Sequence, residues 1–90
     1  MKNAKAQKEI SRWLSNTGFK VVEVINKLDE VYNKRIVSIL ARTSKRFAVV
    51  NYSYAPCSCC SPTVRYLLDA AKNSLLQFNT EEEAKARMCK

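Results

Sequence analysis

Three thiols fall between two prolines in Pro56-Cys57-Ser58-Cys59-Cys60-Ser61-Pro62, and a fourth, Cys89, stands almost at the end of this 90-residue chain. Cys57 and Cys60 have C-x-x-C spacing, and Ser61-Pro62 reads as a helix N-cap followed by proline at the first helical position. A thiol just ahead of a helix N-terminus meets exposed N–H groups and the positive end of the macrodipole, which favours thiolate and hence dithiol redox chemistry. Four soft sulfurs at Cys57, Cys59, Cys60 and Cys89 could also ligate zinc, the one metal cofactor the composition suggests. Adjacent Cys59 and Cys60 suit a single ion poorly, and the chain has no histidine for a mixed site. The plainest reading is small, half-buried thiols in a turn, kept reduced in a cytosol.

A strand at Phe47–Tyr54, the C-x-x-C and a following helix are similar to the local order in dithiol oxidoreductases of the thioredoxin and glutaredoxin type. Membership of that family would require a cis-proline in a second half, facing the dithiol. No proline follows Pro62, so no family is assigned. One glycine and two prolines in the whole chain exclude phosphate-cradling glycine loops. With carboxylates placed as helix caps or isolated charges, no general acid–base pair suggests itself, and a non-enzyme is expected.

Charge is the second chemical feature. Sixteen Lys and Arg against eight Asp and Glu give +8 at pH 7. Residues 1–46 carry eleven cations and four acids, whereas residues 47–90 carry five and four. Such asymmetry implies an anionic partner, meaning nucleic acid, an acidic protein face or an anionic membrane surface, of which nucleic acid or an acidic nucleoprotein partner is the expectation. Lys34, Arg35, Arg42, Lys45 and Arg46 gather at the two ends of an expected hairpin. Tyr52 and Tyr54, on one face of its second strand, could stack on unpaired bases. Those seven residues are the candidate binding set. The alternative is a small interaction or inhibitor protein of the size encoded by phages, acting by protein–protein contact through Trp13, Tyr32 and Arg46. That comparison rests on scale alone.

The elements that would position these residues follow from periodicity. Ala6, Ile10, Trp13, Leu14 and Thr17 form the stripe of a helix over 3–17, ended by Gly18 as a left-handed C′ residue with Phe19 folding back. Phe19–Ile25 reads as a strand. Lys27–Lys34 is expected as an irregular connection, although a helical stripe over 28–40 fits as well, and Arg35–Arg42 as a strand. Arg46–Tyr54 alternates, with Phe47, Val49, Asn51 and Ser53 on one face and Ala48, Val50, Tyr52 and Tyr54 on the other. A helix from Pro62 to about Asn73 with a short edge strand over 74–78, or a continuous helix to Gln77, and then a capped helix from Glu81 to Met88 complete the chain, Thr80 and Glu83 forming a capping box.

The expected fold is α+β, one compact domain over 1–90. It has an antiparallel sheet of three or four strands and about three helices on one face. A domain this small buries only about 60–65% of its unfolded surface, so a homodimer is one way to gain stability. No stretch is long and apolar enough for a signal peptide or membrane span, which gives a cytoplasmic protein with no membrane partner as the expectation.

Overall fold

A computed structural model describes residues 2–55 and 63–88. The segment carrying Cys57, Cys59 and Cys60, together with Cys89, lies outside the described residues, as do the expected N-cap Ser61 and Pro62. The order is α1 (Lys2–Asn16), β1 (Lys20–Asp29), β2 (Lys34–Arg42), β3 (Phe47–Tyr54), α2 (Val64–Ser74), β4 (Leu76–Phe78) and α3 (Glu81–Arg87). The four strands form one antiparallel sheet in sequence order. This is the small α+β domain expected from the sequence.

α1 buries Ala6, Ile10 and Leu14 and ends as its sequence dictates. Gly18 adopts φ +94°, its N–H donates to the Ser15 carbonyl (3.1 Å), and the Phe19 N–H donates to the Leu14 carbonyl (2.9 Å). These two bonds are a Schellman ending, which a β-carbon at position 18 would strain. The same hairpin of chain then delivers Lys20 to the start of β1.

β1 extends to Asp29, beyond the expected end at Ile25, because Asn26, Lys27, Leu28 and Asp29 pair with Val37, Ile36, Arg35 and Lys34. The irregular connection expected over 27–34 is therefore a strand end and a tight turn. Asp29 Oδ1 accepts the N–H groups of Val31 (3.0 Å) and Tyr32 (3.4 Å), and Asn33 takes up φ 52°. An aspartate and an asparagine thus supply the two special positions of the turn. The register shifts between Val21 and Glu23, a bulge that keeps both Val21 and Val24 against the core.

The central strands are buried on both faces. Val37, Ile39 and Ala41 of β2 join Ala48, Val50 and Tyr52 of β3 under α1 and α2. Leu40 and Val49 point the other way and meet Ala84 and Met88 at α3, with Ile25, Phe47 and Phe78 around them. The three helices are present, but the expectation that they share one face holds for α1 and α2 only. Apolar residues on both faces of β2, Val37, Ile39 and Ala41 on one and Ile36 and Leu40 on the other, need cover on both sides, and the short β4 turns the chain so that α3 supplies it.

α2 starts two residues later than expected. Its N-cap is Thr63, whose hydroxyl accepts the Tyr66 N–H at 3.1 Å. At its other end the Ser74 hydroxyl donates to the Ala71 carbonyl (2.8 Å) and accepts the Asn51 N–H of β3 (2.8 Å), replacing the ladder bond that β4 is too short to make. α3 is capped by Thr80, whose hydroxyl accepts the Glu83 N–H (3.2 Å) and donates to the Glu83 carboxylate (3.0 Å). Thr80→Ala is expected to destabilise the protein by about 1 kcal/mol. Thr80→Ser should retain most of that; equal melting of the alanine variant and the parent would show that α3 is held by packing alone.

Candidate functional site

The candidate cations occupy the two ends of β2. At one end, Arg42 leads into the turn Thr43–Arg46. The Thr43 N–H donates to the Arg46 carbonyl (2.8 Å), and the Thr43 hydroxyl accepts the N–H groups of Lys45 (3.2 Å) and Arg46 (3.0 Å). A turn closed on its own threonine leaves Lys45 and Arg46 exposed to solvent. Arg46 Nη1 also reaches Gln77 Oε1 of β4 at 3.4 Å, which ties the guanidinium to the sheet edge. Lys20 is the register partner of Arg42 and adds a fourth cation at this end. It was missed because Lys20 and Arg42 are far apart in the chain; only the β1–β2 register brings them together.

At the other end stand Lys34, exposed, and Arg35, half-buried between its register partners Leu28 and Tyr54. Eight residue steps along β2 separate Lys34 from Arg42, or about 26 Å at the usual rise per residue. The five predicted cations therefore form two groups, as the hairpin reading implied. Beside Lys34 lies an open depression of about 380 Å³ walled by Asp29, Tyr32, Ile36, Asn51 and Ser53 among others. It is the part of the second sheet face beyond α3. Asn51 in this wall accepts, through its Oδ1, the hydroxyl of fully buried Ser38.

The tyrosines take a different part from the one expected. Tyr52 is 5% exposed and belongs to the core under α1 and α2. Its ring stacks on Tyr54, with centroids 6.5 Å apart and planes 22° from parallel. Burial, with a smaller contribution from neighbouring Tyr54, pushes the Tyr52 hydroxyl up to about 12. Tyr54 is half-buried against the same core. Its hydroxyl is buried and has no partner among the described residues. Base stacking by Tyr52 is thus corrected: alternation assigned both rings to the right face, and that face is the one the helices cover.

Trp13 likewise packs against the core, with Lys72 Nζ 5.8 Å from its ring centroid. The aromatic side chains displayed to solvent are Tyr32 (72%) and Tyr66 (64%). Tyr32 stands with Val31 (84% exposed) at the tip of the β1–β2 hairpin.

Ion pairs joining two described residues are Arg12–Glu9 at 3.7 Å and Lys85–Glu81 at 4.0 Å, both within helices. Neither draws on the hairpin cations. Among the described residues no group of three His, Cys, Asp or Glu is placed to hold a metal, and no helix is long and apolar enough to cross a membrane. The four cysteines of the redox and zinc readings lie outside the described residues. Comparisons with protein-family models, curated proteins and solved structures gave no match to this chain.

Proposed function

We propose that this chain is a non-catalytic binding module for an extended polyanion, nucleic acid being the class. Lys20, Arg42, Lys45 and Arg46 would contact phosphates at one end of the sheet, and Lys34 and Arg35 at the other. The observation that carries the reading is the placement of these cations. They stand at strand ends and in a turn closed by hydrogen bonds to Thr43, and none is in an ion pair with a described acid. Cations grouped in this way neutralise phosphates and release counterions, which gives affinity without sequence readout. Because the Tyr52 ring is packed away, charge rather than base stacking would carry the binding.

Two groups about 26 Å apart match the span of roughly eight base pairs at 3.4 Å each. Labelled duplexes shorter than that should bind distinctly more weakly than longer ones. Anisotropy titrations at rising salt should give a log–log slope of about −0.9 for each duplex phosphate neutralised. Replacing Arg42, Lys45 and Arg46 together by glutamine should weaken binding about tenfold or more and flatten the slope by two to three units. Absence of binding near physiological salt, or affinity indifferent to salt, would remove the reading.

A second reading, protein–protein contact in the manner of a small inhibitor, is favoured by the exposed Val31–Tyr32 tip. Large apolar side chains held out on an ordered turn are anchors in search of a pocket. On this reading a Val31→Ser/Tyr32→Ser variant loses a dominant, nuclease-resistant partner while keeping any oligonucleotide affinity. The glutamine triple variant does the reverse.

A further inference from the structure

The outer edge of β1 has no strand or helix of the described residues paired to it. We infer that this edge pairs antiparallel with the same edge of a second copy, about a two-fold axis at Ile25, joining two four-stranded sheets into one.

The backbone directions decide which groups are on offer. The Asn51 N–H bonds Ser74 on the β4 side, so it turns away from β2. In an antiparallel ladder, hydrogen-bonded and non-bonded pairs alternate. Ser38, opposite Asn51, therefore turns its N–H and C=O toward β1, where its register partner is Ile25. Glu23, Ile25 and Lys27 accordingly face β2, and Val24, Asn26 and Leu28 turn their backbone groups to the open edge.

The side chains decide the register. With Ile25 opposite the partner's Ile25, Glu23 comes opposite the partner's Lys27, on both sides of the axis. Val24 and Asn26 then form the hydrogen-bonded pairs. An axis at Lys27 puts lysine on lysine, and one at Glu23 puts glutamate on glutamate. An axis at Asn26 brings Glu23 opposite Asp29. An axis at Val24 leaves Glu23 facing Ile25 and Lys27 facing Val21. Only the Ile25 axis sets both Glu23 and Lys27 opposite the partner's opposite charge, and opposed charges across a strand pair are stabilising where like charges are not.

Exposed Val22 (45%) and Leu28 (39%) flank this five-residue ladder. The bulge at Val21/Glu23 ends the flat run. Edge lysines and bulges ordinarily guard against promiscuous strand addition. Here they leave one self-complementary register, which closes as a dimer and does not propagate.

Within one chain Glu23 and Lys27 are opposite Leu40 and Ile36, four residues apart on an extended strand and so not in contact. The two side chains therefore do not pair with each other within one chain, and rescue of Glu23→Lys by the reciprocal change reports their contact between chains. Sedimentation equilibrium of the full-length protein over a wide concentration range should show a monomer–dimer equilibrium. Glu23→Lys should raise the dissociation constant about tenfold or more, and Glu23→Lys/Lys27→Glu should restore it. Hydrogen exchange of the unmodified protein gives a test free of folding effects. The Val24 and Asn26 amides should slow as concentration rises, and those of Glu23, Ile25 and Lys27 should change much less. A monomer at every concentration, open-ended growth, a Glu23→Lys variant that dimerises like the parent, or Val24 and Asn26 exchange indifferent to concentration would overturn the inference.

Discussion

Ile39→Ala is expected to destabilise the protein by about 2–5 kcal/mol, the range for truncating a fully buried isoleucine to its β-carbon. Ile39 is completely buried in central strand β2, flanked by Val24 and Val50 in register and covered by α1 and α2. The neighbours that would have to collapse into the gap are held in a four-stranded ladder, so the cavity cannot close cheaply. A small domain has only about 5–15 kcal/mol in total, and each kilocalorie lost lowers the melting temperature by about 4–8 °C at this size. The variant should melt at least about 10 °C lower, or be unfolded at 37 °C. Val22→Ala, at an exposed bulge position on the edge strand, should stay within about 0.5 kcal/mol of the parent. Urea midpoints of the two variants measure the contrast directly, and an Ile39→Ala midpoint close to that of Val22→Ala would mean that β2 is not the centre of the core.

Alkaline pH should destabilise the protein through Tyr52. The hydroxyl titrates at 10.0 in the unfolded chain and at about 12 in the fold, because ionising it would place a phenolate in the apolar layer beneath the helices. The folded state therefore holds its proton more tightly. The resulting stability is fully present below pH 10 and is lost as pH rises toward 12. Two units of displacement correspond to about 2–3 kcal/mol. The informative quantity is the difference between the parent and Tyr52→Phe, which has no proton to lose at that position. Denaturant unfolding at successive pH values should show the parent losing stability faster than the phenylalanine variant between pH 10 and 12. Parallel curves would mean that the Tyr52 hydroxyl reaches water.

Both predictions concern residues whose pattern was legible before their surroundings were. Alternation over 47–54 divides β3 into two faces correctly, and Arg35–Arg42 reads as a strand, although the helices were expected on one face of the sheet only. What alternation cannot give is which helix lies over which face. That is why Tyr52 and Tyr54, correctly placed side by side, were expected to meet bases and instead meet α1 and α2. The β1 boundary was hidden for a related reason. Leu28, Val31, Tyr32 and Ile36 also fit a helical stripe, and only pairing of Asn26–Asp29 with Lys34–Val37 settles the conflict. Lys20 entered the candidate site by the same route, through its register with Arg42.

Features that depend on a few consecutive residues were readable from the chain alone: the Gly18 ending of α1, the Thr80 cap of α3, the strand-to-turn transition at Thr43, and the excess of cations in residues 1–46. Each is fixed by local sterics, local hydrogen bonds or composition, and no distant partner can change it. Placement of α3 across the sheet from α1 and α2, burial of Tyr52, the length of β1 and the meeting of Lys20 with Arg42 were decided only in three dimensions. They follow from which apolar surfaces find one another when the chain folds back, and sequence periodicity records that a surface needs cover without recording what covers it.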